Sequence, residues 1–271
     1  MENLVFINDQ FVPEEKACLH YRDLAIQRGY GVFDFLKVQN RTTVYLNDHL
    51  DRFYKSANKL RLSLPERKRI EEIIQEIISQ QTDVNYGIRL TLTGGQSNDG
   101  YTISNPNLII STHSFPSVTI DQFKTGIKLV SYPYQRQLPE VKTIDYLMAI
   151  YLQPFVREKD ADDVLYHNND SITECPRSNI FIISRNETIV TPAKNILKGI
   201  TRKNVIEKIK THFKIEERDI KLEEIYTANA AFITSTTKSV LPVRQINDYK
   251  FRGAPEIIER LSAIISVENH T

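Results

Sequence analysis

The stretch that decides the fold reads SITECPRSNIFII over residues 171–183 and, after a short connection, ILKGITR over 196–202. Its first part places a single carboxylate, Glu174, ahead of an apolar run that is typical of a buried strand. Its second part places Gly199 just before a helix predicted over about 201–213. The first N–H groups of a helix lack partners and carry a partial positive charge, so this helix start predicts a phosphate site. Gly199 would let the backbone come close to the phosphate.

The composition limits the class of protein. The chain has 271 residues, of which 41% are hydrophobic, and this predicts one large or two modest domains. A formal net charge of +1 provides no field to attract nucleic acid or an anionic membrane. Cys18 and Cys175 lie far apart in the sequence and indicate reduced thiols. Neither a signal-peptide pattern nor a membrane-span pattern is found, so a cytoplasmic protein is expected.

The first part of the chain is predicted to be a sheet covered by helices. Alternating apolar residues predict two hairpins, and apolar residues at helical spacing predict two amphipathic helices. The hairpins are expected over 4–12 and 31–45, and the helices over 46–61 and 70–78. A loop rich in glycine and small polar residues, 94–100, separates two further strands and could border a pocket.

The pattern breaks at 116–126, which we take as the linker between a domain over 1–115 and a second domain over 127–271. In the second domain, a helix is expected over about 144–159 with a kink at Pro154. Strands and the helix after Gly199 follow it. The sequence therefore predicts two domains of mixed helix and strand.

Glu174 is the first candidate for chemistry. A carboxylate placed among apolar residues is costly to bury unless it meets a cation. A protonated pyridine nitrogen of pyridoxal phosphate would be such a cation, because a carboxylate beside it keeps the ring able to accept electrons. The alternative is an ordinary exposed glutamate in a turn.

Further candidates could hold a phosphate or attack a carbonyl. Arg52 offers a planar fork for bidentate phosphate binding, and the hydroxyl groups of 235–237 follow a predicted strand where they could bind phosphate oxygens. Lys142 stands between a loop and an apolar segment, where desolvation would leave its amine able to attack an aldehyde. The alternatives are a solvated arginine, a turn cap and an exposed lysine.

Other chemistries find no support in the sequence. The six histidines show no metal-ligand spacing, and neither a serine-hydrolase elbow nor a P-loop is present. The glycines at Gly29 and Gly31 precede a strand instead of opening a helix after one, so they indicate a tight turn and not a dinucleotide loop.

Six blocks of sequence, spread over nearly the whole chain, occur together in one known family. The blocks are RGYGVFD (28–34), HLDR (49–52), VKT (141–143), TE with SNIF (173–174 and 178–181), LKGITR (197–202) and TSTT (234–237). In this order they resemble the class IV aminotransferases, which are fold-type IV pyridoxal-phosphate enzymes. That family includes branched-chain and D-amino-acid aminotransferases and aminodeoxychorismate lyase. The resemblance implies an α+β fold with an N-terminal α/β sandwich and a C-terminal pseudo-barrel with flanking helices.

The resemblance also implies roles at the ring of pyridoxal 5′-phosphate. Lys142 would be the Schiff-base lysine and would carry the proton between the substrate carbon and the cofactor. Glu174 would pair with the pyridine nitrogen, Leu197 would pack on the ring face, and Tyr146 would lie near the phenolic oxygen.

At the phosphate, the resemblance assigns the binding groups to Arg52, Ile200, Thr201 and Thr236. It further implies a homodimer whose subunits share the lining of the active site. The expected partners are therefore small molecules, an amino acid and a 2-oxo acid, together with a second copy of the chain.

The substrate stays open, because the chain departs from the family at substrate-facing positions. Asp34 follows Gly-Val-Phe where the family often has glutamate, and Asp99 and Tyr101 align with the Arg-x-His pair of the D-amino-acid enzymes. Three functions remain: a transaminase, a lyase that eliminates pyruvate from aminodeoxychorismate, and a scaffold that binds a partner or stores cofactor. A carbanion at the alpha carbon is common to the two enzymatic reactions, so Lys142 and Glu174 would serve either.

Overall fold

A computed structural model describes residues 4–115, 118–251 and 255–267. The chain divides into two compact units, one comprising Met1–Pro116 with Val141–Asp145 and the other Ser117–Glu140 with Tyr146–Thr271. The first unit thus includes a short segment, Val141–Asp145, that follows the expected linker in the sequence. Residues 116 and 117 of that linker lie outside the described residues, and 120–125 form a short helix. The expected domain boundaries themselves stay a prediction.

The first unit is built on a six-stranded antiparallel sheet in the order β2-β1-β6-β5-β3-β4. Its strands are β1 (Leu4–Ile7), β2 (Gln10–Pro13), β3 (Gly31–Gln39), β4 (Thr42–Thr43), β5 (Tyr86–Thr93) and β6 (Leu108–His113). Its helices are α1 (Leu24–Arg28), α2 (Leu46–Lys59) and α3 (Arg67–Gln80). Both expected hairpins and both amphipathic helices are present.

The core of this unit follows from the alternation along the central strands. Val32, Leu36 and Val38 point to one face of β3, where they pack with apolar residues of α2 and α3. Residues at odd positions of β3, among them Phe33, point to the other face. Asp34 shares the helix-facing side with the core residues although it is charged. Asp34 is thus a buried charge on the core face of β3, and it needs polar partners there.

The second unit contains a mixed sheet of ten strands. Eight of them run in the order β13-β12-β11-β14-β15-β7-β8-β9, with β10 paired to β11 and β16 to β15. The strands are β7 (Ile127–Pro133), β8 (Asp163–Asn168), β9 (Ser171–Ile172), β10 (Glu174–Cys175), β11 (Ser178–Ile183), β12 (Ile189–Thr191), β13 (Ile215–Glu217), β14 (Ala230–Ser235), β15 (Ser239–Ile246) and β16 (Tyr249–Lys250). The helices are α4 (Ile120–Thr125), α5 (Leu147–Tyr151), α6 (Gln153–Glu158), α7 (Ile200–Ile209) and α8 (Pro255–Val267).

Strands β11 and β14 are apolar on both faces, and both faces are covered. Phe181 stacks on Phe232 at 4.7 Å between ring centroids, on the face that packs against α7 and α8. Ile180 and Ile233 belong to the separate core on the other face. The unbroken apolar run at 180–183 therefore marks a strand that is buried on both sides, as its composition predicted.

Two helix predictions were wrong in extent. The helix expected over 144–159 is two short helices, α5 and α6, and the second begins around Pro154, which cannot continue a preceding helix. Ile144 lies outside the helix, and its N–H donates to the Gly31 carbonyl oxygen of β3 at 3.1 Å. The helix expected over 201–213 runs from Ile200 to Ile209.

Across the described ranges, the structure contains no helix that is both long enough and apolar enough to cross a membrane.

Candidate active site

The backbone around Lys142 is fixed by hydrogen bonds within the first unit. The Phe33 N–H donates to the Lys142 carbonyl oxygen at 3.0 Å, and the Lys142 N–H donates to Ser56 Oγ at 3.3 Å. Together with the bond from Ile144 to Gly31, these contacts lay the segment 141–145 along the start of β3. The Lys142 ammonium lies 4.5 Å from the centroid of the Phe33 ring. Lys142 is half-buried and lies outside the strands and helices, but its backbone is held by hydrogen bonds to β3 and α2.

Arg52 is held by a carboxylate of β3. Its Nε and Nη2 each donate to an oxygen of Asp34 at 2.8 Å. His49 Nδ1 lies 2.7 Å from Asp34 Oδ1. Asp34 is fully buried. Burial by itself would raise the pKa of Asp34, but the adjacent Arg52 and His49 hold that pKa well below its usual range.

His49 completes this group as a neutral ring. Burial lowers the pKa of His49 and outweighs the opposing effect of the Asp34 carboxylate. With Asp34 ionised and His49 neutral, Nδ1–H is the donor and the carboxylate accepts. His49, Arg52 and Ser56 follow each other at spacings of three and four on α2, so one face of that helix presents all three toward β3 and the 141–145 segment.

Glu174 is buried on β10, with a relative exposure of 4%. Arg136 Nε donates to its Oε1 at 2.8 Å, and the Leu197 N–H donates to its Oε2 at 2.9 Å. Arg136 also donates from Nη2 to the Pro139 carbonyl oxygen at 2.5 Å. The alternative of an exposed turn glutamate was therefore wrong. Each carboxylate oxygen therefore has a hydrogen-bond donor.

The sequence did not indicate Arg136. It lies 38 residues before Glu174 in the loop after β7, where nothing in the local pattern separates it from a solvated arginine. The only available signal was the general need of a buried carboxylate for a cation.

Helix α7 begins with free backbone donors. Gly199 is its N-cap and provides no side-chain cap, so among the described residues no side chain occupies the first N–H groups. A Cβ at Gly199 would lie 2.2 Å from Asn179 Oδ1, so this position has no room for a side chain. Asn179 Nδ2 donates to the Leu197 carbonyl oxygen at 2.8 Å. Leu197 is thus tied to Glu174 on one side and to Asn179 on the other.

Two buried hydroxyl groups near these residues lack a partner. Ser178 Oγ and Thr234 Oγ1 make no hydrogen bond within the part of the chain that the structure describes. Thr234 is the cross-strand partner of Asn179. Buried hydroxyls are costly to leave unpaired, so their presence fits a site that a polar ligand or water completes.

The structure places the predicted residues in both units. In the first, it gathers Arg52 and Lys142 around α2. In the second, the Leu197 N–H donates to Glu174, and Ile200 and Thr201 follow as the first residues of α7. Thr236 lies in the turn between β14 and β15. Tyr146 is the half-buried N-cap of α5. The ligand-binding roles of all these residues stay predictions.

Comparison with known proteins identifies the relatives. The family model of amino-transferase class IV matches residues 31–246. A D-alanine aminotransferase of Listeria monocytogenes is 26% identical over 90% of this chain and 87% of its own length. A putative branched-chain-amino-acid aminotransferase of Methanocaldococcus jannaschii is 28% identical over 90% and 88%.

Solved structures show the same fold. The branched-chain amino acid aminotransferase of Escherichia coli superposes with a TM-score of 0.87 at 20% identity, covering 97% of this chain and 93% of the other. A hypothetical aminotransferase from Mycobacterium tuberculosis, in a PLP-bound form, superposes with a TM-score of 0.82 at 20% identity, covering 98% and 99%. The expected α+β two-domain fold is confirmed.

Proposed function

Because the chain belongs to the class IV aminotransferase family, as its six sequence blocks predicted, we propose that it is a pyridoxal-phosphate-dependent transaminase with Lys142 as its Schiff-base lysine. It moves an amino group between an amino acid and a 2-oxo acid. The observation that carries this proposal is the segment 197–201, in which Leu197 donates to the buried carboxylate of Glu174 and residues 200–201 form the uncapped start of α7. A pyridine nitrogen needs the first and a phosphate needs the second.

The residues present fit pyridoxal 5′-phosphate. The uncapped N–H groups of Ile200 and Thr201 suit the phosphate, and the Thr236 hydroxyl and Arg52 guanidinium add donors. Ser178 Oγ and Thr234 Oγ1, which have no hydrogen-bond partner among the described residues, support the proposal that a polar ligand or water completes this region. The bound cofactor supplies a ring that accepts electrons from the substrate's alpha carbon.

The ring end is assigned to groups of the second unit. Glu174 meets the pyridine nitrogen as an anion, since Arg136 and the Leu197 N–H both stabilise its charged form. Leu197 covers the ring face and helps to exclude water, and the Tyr146 hydroxyl binds the phenolic oxygen. Leu197 is held in place through its own N–H and carbonyl oxygen, so its side chain starts from a fixed backbone.

With the cofactor bound, Lys142 Nζ would be the group that accepts and returns the proton of the substrate's alpha carbon. Its fixed backbone limits the reach of the amine. Phe33 lies under the ammonium and shields one side of it from water. A cation over a ring face is stabilised, so Phe33 also restrains the side chain.

We propose a homodimer as the functional form. Leu147, Ile150 and Tyr151 of the short helix α5 are 73%, 68% and 68% exposed. Three large apolar side chains on one short helix are typical of a protein interface. Leu147→Asp with Ile150→Asp should shift the species observed by light scattering from dimer to monomer, whereas a monomeric wild-type protein would contradict this assignment. We keep the cytoplasm as the expected location.

The test of the proposal begins with the purified protein and pyridoxal 5′-phosphate. Binding should produce the absorbance of an imine-bound cofactor, and borohydride reduction followed by peptide mapping should find the label on Lys142. Lys142→Ala should lose this label and the transamination. Lys55→Ala, which removes an exposed lysine of α2, should keep both. A label on another lysine would overturn the assignment.

Substrates are resolved by a donor and acceptor screen. D-alanine and branched-chain L-amino acids are the first donors to try, because the relatives' names contain these substrates. Amino donors should bleach the cofactor band and 2-oxo acids should restore it. Aminodeoxychorismate belongs in the same screen, with pyruvate and 4-aminobenzoate as the products that would favour the lyase. Failure to cycle with any L- or D-donor would contradict transamination.

A further inference from the structure

We propose that Asp34 is a positioning residue for the phosphate end of the site. It holds Arg52 so that the guanidinium meets the phosphate end-on, through Nη1 and the second N–H of Nη2, and not side-on through its Nε and Nη2 edge. This inference rests on the proposed function, which assigns Arg52 to the phosphate.

The geometry of Arg52 leaves one edge for a ligand. Nε donates to Asp34 Oδ2 and Nη2 to Asp34 Oδ1, both at 2.8 Å, so the side-on edge is already used in a bidentate pair. Nη1 makes no hydrogen bond with any residue in the described ranges. The Arg52 side chain is 12% exposed, so most of its surface is packed. A phosphate that reaches Arg52 in this arrangement can bind only at the end-on edge, which consists of Nη1 and the second N–H of Nη2.

Asp34 is itself held firmly enough to impose this orientation. Its Oδ1 accepts from the Phe35 N–H at 2.8 Å and from His49 at 2.7 Å, in addition to Arg52. With Oδ2 also taken by Arg52, the carboxylate has four donors from β3 and α2. A fully buried carboxylate with this many donors has no alternative orientation of comparable free energy.

Two opposite effects of Asp34 on phosphate binding can be separated by experiment. Its negative charge opposes the approach of a phosphate dianion, so charge alone predicts that removal of Asp34 strengthens binding. Its hydrogen bonds pre-orient a long, flexible arginine, so positioning predicts that removal weakens binding. We expect the positioning effect to be larger than the charge effect, because Asp34 binds Arg52, His49 and the backbone of β3 together.

The test is Asp34→Asn, which keeps the shape and removes the charge. The dissociation constants of the cofactor-free enzyme are measured for pyridoxal 5′-phosphate and for pyridoxal, which lacks the phosphate. We expect binding of the phosphorylated compound to weaken by about tenfold and binding of pyridoxal to change less than about twofold, because the lost contacts are charge-assisted. Equal or tighter binding of pyridoxal 5′-phosphate would overturn the proposal. A parallel loss for both compounds would indicate a general structural role and would also overturn it.

Asp51→Asn is the matched control, since Asp51 lies on the same helix and pairs with Arg67 at the surface. It should leave both dissociation constants unchanged. If Asp34→Asn does not fold, a crystal structure of the wild-type enzyme with pyridoxal 5′-phosphate decides the question. Nε and Nη2 of Arg52 should stay on Asp34 while the end-on edge contacts the phosphate. An Arg52 that has released Asp34 and turned its side-on edge to the phosphate would refute the inference.

These measurements separate the two proposals. Wild-type enzyme that does not bind pyridoxal 5′-phosphate would sink the proposed function. If the wild-type enzyme binds pyridoxal 5′-phosphate and the Asp34→Asn variant keeps the full preference for the phosphorylated compound, only the proposed role of Asp34 is refuted.

Discussion

Replacement of Arg136 by leucine would remove the cation that pairs with Glu174. The two side chains are 15% and 5% exposed, and the joining hydrogen bond is 2.8 Å long. Leucine fills part of the space of the arginine stem but supplies neither charge nor donor. Glu174 would then be a buried anion without this cation, while the Leu197 N–H would still donate to its Oε2.

The magnitude follows from the burial of the pair. When one partner of a buried ion pair is removed, the other becomes an uncompensated charge, at a cost of about 3–5 kcal/mol. The lower part of this range applies, because the Leu197 N–H still stabilises one oxygen of Glu174. At about 2–4 °C per kcal/mol for a chain of this size, the melting temperature should fall by roughly 10 °C.

The control is Arg244→Leu. Arg244 pairs with Asp162 at 3.3 Å, with side chains 45% and 50% exposed, in the same unit of the chain. An exposed pair of this kind contributes less than about 1 kcal/mol. Both variants would be measured without cofactor, by thermal melting and by urea unfolding, so that loss of cofactor does not contribute to the change.

The reasoning fails on either of two results. Arg136→Leu within about 1 kcal/mol of wild type would mean that Glu174 does not depend on its cation in the folded state. An equal loss in Arg244→Leu would mean that the effect comes from loss of arginine and not from burial of the pair.

Three further predictions concern the phosphate end, the core and pH. Gly199→Ala should cost about 1–3 kcal/mol and weaken binding of pyridoxal 5′-phosphate in a fluorescence titration, because its Cβ would lie 2.2 Å from Asn179 Oδ1; unchanged affinity would refute the tight approach. Phe232→Ala should destabilise the protein by about 3–5 kcal/mol in urea unfolding, since this fully buried ring stacks on Phe181; a loss below about 1 kcal/mol would contradict that packing. The folded-state pKa of His49 is lowered, so the unfolded chain binds the extra proton and stability should fall as pH drops below the ordinary value of 6.5. The urea midpoint of unfolding should decrease less between about pH 7.5 and about pH 5.5 in His49→Gln than in the wild type. An equal decrease in both proteins would show that His49 does not cause the loss of stability at low pH.

Much of the local structure could be predicted because it depends on near neighbours. The alternation of Val32, Leu36 and Val38 defines the core face of β3, whereas the unbroken apolar run at 180–183 indicates a strand that is buried on both faces. Helices α2 and α3 follow from apolar residues at spacings of three and four. The family, the two-domain α+β fold and the cofactor were also predicted, since they depend on blocks of sequence in a given order.

The helix over 144–159 could not be corrected from local pattern. Its apolar spacing fits a helix, yet residues 144–146 lie outside the helices, and hydrogen bonds hold Lys142 and Ile144 to the Phe33 and Gly31 backbone groups far earlier in the chain. Only a fold that has already brought β3 to this segment can supply those hydrogen bonds. Periodicity carries no information about them, because it compares residues only a few positions apart.

The sequence by itself identified the candidate residues: a lysine at 142, a carboxylate at 174, and a glycine before a helix. Only the tertiary structure decided how those groups are held. It pairs Glu174 with Arg136, and it turns one edge of Arg52 toward Asp34. The physical reason is that burial makes each charge depend on a partner, and the partner is chosen by which strands and helices meet, not by distance along the chain.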